Sequence, residues 1–204
     1  MNSLNDLSIQ CALKFYYKLE GAKLALEDEA MLFPLAYKEK IGAYAKEYSL
    51  DPWIIISLTR QESLFDPKAL SHAQAYGLMQ IIPETGYRLA KQLIPADYFR
   101  PEDLYDPNTN LNFGCFYFRQ LLDKFDQNIV YAIAAYNGGA GSVSSWIKRF
   151  DKYEIDAFIE NIPFGETRDY VKRILRNFWM YYRIYDQEEK MEKKRLTEYS
   201  RFSG

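Results

Sequence analysis

Apolar residues recur every third or fourth position along most of this chain and alternate almost nowhere, which predicts a mainly helical protein. Residues 5–30 read as one or two amphipathic helices. A Pro-marked connector, LFPLAY (32–37), and a helix over 38–49 follow. The segment 51–63 opens with Asp51 as a helix N-cap and Pro52 at the first helical position. It stops before Pro67, whose ring disfavours helix at Asp66. A loop, SHAQAYG (71–77), leads to the apolar run LMQII (78–82), the one place where a small β element is expected. Pro83 starts a helix that ends near Ile94. The segment 106–125 has an Asp cap, a Pro behind it, and a stripe of Leu111, Cys115, Phe118, Leu122 and Phe125. Gly114 lies beside that stripe; glycine in a helix costs about 1 kcal/mol against Ala, so it marks the close approach of another helix. The next helix, 128–136, puts Ile129, Ala132, Ile133 and Tyr136 on one face and is stopped by Asn137-Gly138-Gly139. A helix over 142–150 and the loop NIPFG (161–165) precede a long helix from about Glu166 to Lys190, striped by Tyr170, Ile174, Phe178, Tyr181 and Tyr185. The tail 188–204 is charged.

One residue breaks this pattern. At 100° per residue, Ile55, Leu58 and Thr59 share a face of the 51–63 helix, and Glu62 lands in its middle. Ser57, Arg60 and Gln61 take the other side. Burying an unpaired carboxylate costs several kcal/mol, and the usual escape is a raised pKa. A protonated, partly desolvated Glu is what general-acid chemistry needs near neutral pH. The plainer reading is a Glu at a helix end that bends to solvent or pairs with an Arg.

Composition removes several function classes. The chain has 204 residues, 48 % hydrophobic and 17 % aromatic, enough for one good folded core. A net charge of −2 provides no basic field for nucleic acid or an anionic membrane. No uncharged apolar run approaches membrane-spanning length. Cys11 and Cys115 match no metal or redox spacing, and His72 alone builds no metal site, so neither a metal nor another cofactor is expected. Cys115 sits on an apolar stripe and reads as a buried, inert thiol; a disulfide with Cys11 is neither required nor excluded. The first residues lack the basic start and apolar core of a signal peptide, so the chain is either cytoplasmic or a fragment of a longer secreted protein. The 18 tyrosines offer flat bodies suited to sugar faces, although core packing explains most of them.

Four ordered segments carry a more specific signal: RQESLFDP (60–67), AYGLMQIIPET (75–85), AAYNGG (134–139) and ENIPFGETRDYVKRIL (160–175). In this order and spacing they resemble the catalytic domain of the soluble lytic transglycosylases, goose-lysozyme-like enzymes that cleave bacterial peptidoglycan. The likeness covers roughly residues 32–185, and LFPLAY resembles the linker of the large periplasmic members. It implies a mainly α, lysozyme-like (goose-type) helical domain with a substrate cleft over residues 32–187. Residues 1–31 would then be the end of a larger helical region. The implied partner is the peptidoglycan glycan strand, the implied location the periplasm or cell envelope, and the implied state a monomer.

The resemblance makes Glu62 the single catalytic acid/base. It would protonate the bridge between N-acetylmuramic acid and N-acetylglucosamine, then take a proton from the muramic 6-hydroxyl as that oxygen closes a 1,6-anhydro ring. A muramidase using water, or a non-catalytic peptidoglycan-binding module, are the alternatives. Supporting roles are implied for Tyr136, whose hydroxyl would bond Glu62, and for Gln80 as a sugar hydrogen-bonding group. Met79 would line the cleft, Ser71 would lie near the acid, and Asn137 would hold the adjacent loop or a sugar amide. Glu166 would border the groove. Asp66 reads as a turn cap, and Glu84 as an acid suited to a helix first turn. Two departures stand out. Gln74 replaces the usual Gly, so that loop is expected to take another path. AYNGGAG replaces AYNAGPG, which predicts a more mobile turn.

Overall fold

The computed structural model describes residues 26–94, 98–150 and 152–186. Cys11, most of the predicted 5–30 helices and the charged tail lie outside them. The described elements are α1 (Leu26–Leu32), α2 (Lys38–Glu47), α3 (Pro52–Ser63), α4 (Pro83–Leu93), a 3-10 turn (Pro101–Tyr105), α5 (Pro107–Lys124), α6 (Ile129–Gly138), α7 (Ala140–Arg149), α8 (Ile155–Glu160) and α9 (Gly165–Tyr181), which runs into a π turn (Tyr182–Asp186). Pairing outside helices consists, among the described residues, of two antiparallel bridges, Leu70–Tyr76 and Tyr76–Ile81. The second involves the 78–82 run, where a small β element was expected.

Local chemistry sets the helix starts. The Asp51 side chain accepts from Trp53 N at 2.8 Å, Asp106 from Thr109 N at 2.9 Å, and Asn128 from Val130 N at 3.1 Å. One junction and two short elements differ from expectation. Helix α6 continues through Asn137 and Gly138, and only Gly139, at φ 82, breaks it from α7. The short α8 and the 3-10 turn have too few residues for their periodicity to show in the sequence.

Helix α3 is the centre of the molecule. Its most extensive contact is with α9, and α2 packs beside it; α9 also packs on α6, which in turn meets α5 and α7. The expected two-faced character of α3 is therefore wrong for Ser57 and Arg60: every residue from Trp53 to Arg60 is buried. Ser57 satisfies its hydroxyl on Trp53 O at 2.7 Å. Arg60 lies 4.7 Å over the Phe33 ring and donates from Nη2 to Leu32 O at 3.0 Å, so its charge is met by a π face and a carbonyl. Helix α9 and the π turn after it hold the same connector, through Tyr181 to Pro34 O at 3.1 Å and Tyr185 to Phe33 O at 2.7 Å.

Gly114 does mark a close approach, but of a loop residue rather than a helix. A Cβ there would lie 2.2 Å from Met79 Sδ. Cys115 is a free, fully buried thiol whose pKa is pushed up by that burial. On α9, Tyr170, Ile174 and Tyr181 are buried as expected; Phe178 is only partly covered, and Asn177 occupies the core beside it.

Candidate active site

Glu62 ends the last turn of α3, and the chain leaves that helix through Leu64 at φ 50 and Phe65 at φ 67. Two successive left-handed residues without glycine cost of order 1 kcal/mol each, and buried Phe65 together with Ser63 holds the turn. The Ser63 hydroxyl donates to Leu78 O at 2.9 Å, stitching the end of α3 to the 69–82 loop. Glu62 itself is half-buried as a residue, while its carboxyl group is closely surrounded. Tyr170, 108 residues further on, donates its hydroxyl to Glu62 Oε1 at 2.5 Å. Among the described residues no other hydrogen bond to this carboxyl is made, so Oε2 is the oxygen left to carry a proton.

Burial dominates the acidity of Glu62, raising its pKa from 4.5 to about 7. The Tyr170 hydrogen bond pulls the other way, and the Glu166 charge adds to the rise. Both neighbouring phenols stay protonated: burial, then the Glu62 charge, lifts Tyr136 and Tyr170 well above the ordinary tyrosine value. The group is thus a carboxylic acid with one oxygen anchored, poised between its two states near neutral pH.

Two walls flank the acid. On one side, buried Asn110 of α5 accepts from Met79 N at 2.7 Å and donates to Tyr76 O and Leu104 O, each at 2.8 Å. Ser71 accepts from Ala75 N at 2.9 Å, and Gln80, at φ 48, donates Nε2 to Gly77 O at 2.9 Å and Ala69 O at 3.3 Å. On the other side, the exposed Asn137 accepts from Thr167 Oγ1 at 2.7 Å, joining the end of α6 to the first turn of α9. Gly138 permits that contact: a Cβ there would stand 2.9 Å from Thr167 Oγ1 and 3.2 Å from the Trp146 ring.

Several expectations change against this geometry. Tyr136 does not bond Glu62; its hydroxyl donates to Met79 O at 2.8 Å, and Tyr170 is the phenol that bonds the acid. Met79 does not line a cleft; its side chain is fully buried in the notch left by Gly114. Gln74 takes the left-handed conformation, φ 55, that glycine adopts more cheaply; its N–H bonds Ser71 O at 3.0 Å. In the AYNGGAG turn Gly138 is helical and closely packed, while Gly139 and Gly141 have open space where a side chain would lie. Glu166 is exposed in the first turn of α9, with its neighbour Arg168 donating to Ile162 O at 3.2 Å. Asp66 caps its own turn by accepting from Lys68 N at 2.8 Å, and Glu84 sits in the first turn of α4. Tyr170 is the residue that sequence reasoning missed as a site member. Its place on the buried stripe of the last helix was visible; its partner was not. Among the described residues no cluster of three or more potential metal ligands occurs.

A model of the transglycosylase SLT domain matches residues 39–159. The chain belongs to this family. The soluble lytic murein transglycosylase of Salmonella typhimurium is 37 % identical over 181 residues, 87 % of this chain and 26 % of its own length. The Escherichia coli K12 protein of the same description is 37 % identical over 183 residues, 88 % of this chain and 27 % of its own. Among solved structures, the 70 kDa soluble lytic transglycosylase of Escherichia coli superposes with a TM-score of 0.79 at 34 % identity, covering 89 % of this chain and 28 % of that one. A Pseudomonas aeruginosa Slt, solved as an inactive Glu-to-Gln mutant, gives 0.71 at 31 % identity, over 86 % and 29 %. The SLT-family chain thus spans about a quarter of the length of these relatives. Its mainly α, lysozyme-like architecture is the one these neighbours share.

Proposed function

We propose that this domain is a peptidoglycan lytic transglycosylase in which Glu62 is the single acid and base. The observation that carries the reading is the Glu62–Tyr170 pair: one carboxyl oxygen anchored by a phenol, the other free, and burial raising the acid to about 7. Relatives that cover most of this chain are described as soluble lytic murein transglycosylases, which supports the substrate. Glu62 Oε2 gives its proton to the oxygen joining N-acetylmuramic acid to N-acetylglucosamine. The C1–O bond breaks through an oxocarbenium-like state. The carboxylate, steadied by Tyr170, then accepts the proton of the muramic 6-hydroxyl as that oxygen bonds C1. The ring closure is intramolecular, so bound geometry supplies much of the rate without a second carboxylate nucleophile.

Gln80 Oε1 and Asn137 Nδ2 lie opposite groups already engaged in holding the backbone and Thr167, and are assigned to sugar hydroxyl and amide groups. Ser71 and Glu166 border the same groove. Met79 and Tyr136 act behind it, positioning the loop. No helix among the described residues is long and apolar enough to cross a membrane. A periplasmic or envelope location follows from the substrate, and residues 32–187 form the catalytic unit. The influence of the Glu166 charge on Glu62 favours one rival, hydrolysis with Glu166 orienting a water.

The test is the mass of the new chain ends released from purified sacculi. Anhydro ends, one water lighter than reducing ends, are expected, and Glu62→Gln is expected to bind glycan strands and cut nothing. Reducing ends alone, or substantial cleavage by Glu62→Gln, overturn the assignment.

A further inference from the structure

Phe164 leaves half of its surface, 52 %, open to solvent at the start of α9. Single exposed apolar side chains are common, so exposure alone decides nothing. Position and support decide here. Phe164 is the N-cap of a 17-residue helix, and it makes no side-chain cap. A Ser, Asp or Asn there would stabilise the helix by about 1 kcal/mol and present a polar group to water. The fold therefore gains neither a cap nor a buried ring from this residue.

The ring is nevertheless held firmly. It packs edge-to-face on Trp146, centroids 5.0 Å apart at 85°. Trp146 is itself buried, and its six-membered ring abuts Gly138, the neighbour of Asn137. The half-open ring thus stands at the junction of α6, α7 and α9. Two residues on is Glu166, whose charge reaches Glu62; six residues on, roughly 9 Å along the axis, is Tyr170. The other exposed aromatic of α9, Trp179, lies roughly 22 Å from Phe164 along the same axis and stacks on Tyr182.

We propose that Phe164 is a substrate-positioning platform on which one pyranose ring of the bound glycan strand stacks, away from the sugars whose bond is cleaved at Glu62. The inference rests on the glycan-cleaving reading above. The C–H face of a pyranose carries partial positive charge and matches the negative face of a benzene ring. The ring already packs on Trp146 before substrate arrives, which lowers the side-chain entropy lost on binding. Stacking is equal in ground and transition states, so it lowers KM and leaves kcat unchanged.

The experiment uses the full 204-residue chain and uncross-linked peptidoglycan glycan strands. Phe164→Ala is expected to raise KM about tenfold while kcat stays within about twofold, and Phe164→Trp to restore KM. In the Glu62→Gln background the same substitution is expected to weaken strand binding by a similar factor, about tenfold, with only the small fall in Tm that loss of the Trp146 contact brings. An unchanged KM, a fall in kcat instead, or a failure of Trp to rescue overturns the platform. Hydrated product ends from the parent chain overturn the transglycosylase reading and leave the platform standing, while anhydro ends with Phe164-independent binding do the reverse.

Discussion

The two walls around Glu62 hold their polar groups for opposite purposes. On the 69–82 loop, Ser71, Gln80 and the Met79 backbone are bonded back into the loop or to Asn110. An irregular segment must satisfy its own N–H and C=O groups before it can serve anything else. The helical wall has no such debt, because α6 and α9 satisfy their backbones internally. Its side chains are free to face the acid: Tyr170 bonds it and Glu166 biases it. In this fold the loop wall gives shape, with Gln80 Oε1 left over for a sugar, and the helical wall tunes the acid. Loss of the loop wall's internal bonds should therefore appear first as lost stability, and loss of the groups that touch Glu62 first as altered catalysis.

The largest effect is expected at the buried Asn110, which closes the loop wall with three hydrogen bonds. Asn110→Ala leaves Met79 N, Tyr76 O and Leu104 O without that partner, a loss of about 3–5 kcal/mol, or roughly 10–15 °C in Tm. Thermal unfolding followed by circular dichroism measures it. A Tm within about 2 °C of the parent, less than 1 kcal/mol, would show that the wall is held by something other than Asn110.

A smaller effect, of a different kind, is expected at Tyr170. Phenylalanine keeps the buried ring and removes the donor, so Tm should hardly move. The Tyr170 hydrogen bond lowers the pKa of Glu62, so its loss raises that pKa further above about 7. The acid then stays protonated to higher pH, and the alkaline limb of the pH–rate profile moves up. The carboxylate formed after proton transfer has lost its anchor, which costs about tenfold in kcat. A limb that moves down, or a kcat equal to the parent's, would remove Tyr170 from the site.

What the sequence disclosed follows the same division. Helical periodicity located α2, α3, α5, α6 and α9, and Asp51, Asp106 and Asn128 marked true caps. Glu62 was legible because a carboxylate on an apolar face is locally anomalous. Tyr170 was not, because a tyrosine on a helical stripe looks like any core residue until its partner 108 positions away is known. Arg60 and Ser57 were misread for the converse reason. Periodicity describes a helix with one wet side, and α3 has none over Trp53–Arg60. Gly114 announced a close approach, but only the fold shows that Met79 fills it. The positive φ values of Gln74 and Gln80 left no mark in composition; loop hydrogen bonds impose them.

The smallest expected effect is also the one that separates the proposed chemistry from its rival. Glu166 is exposed, and its charge is the third-ranked influence on Glu62, after burial and Tyr170. Glu166→Gln removes a like charge, so the pKa of Glu62 falls and the alkaline limb moves to lower pH, by less than Tyr170→Phe moves it up. An exposed charge acts through solvent, so the difference from the parent should shrink as salt is raised from low ionic strength towards 1 M, where the screening length is about 3 Å. Under intramolecular ring closure no water needs orienting, and kcat at the pH optimum should stay close to the parent value. If Glu166 instead positioned a hydrolytic water, the same substitution would abolish turnover at every pH and at every salt concentration. A pH–rate series on the single variant therefore decides whether the helical wall tunes one acid or supplies a second catalytic carboxylate.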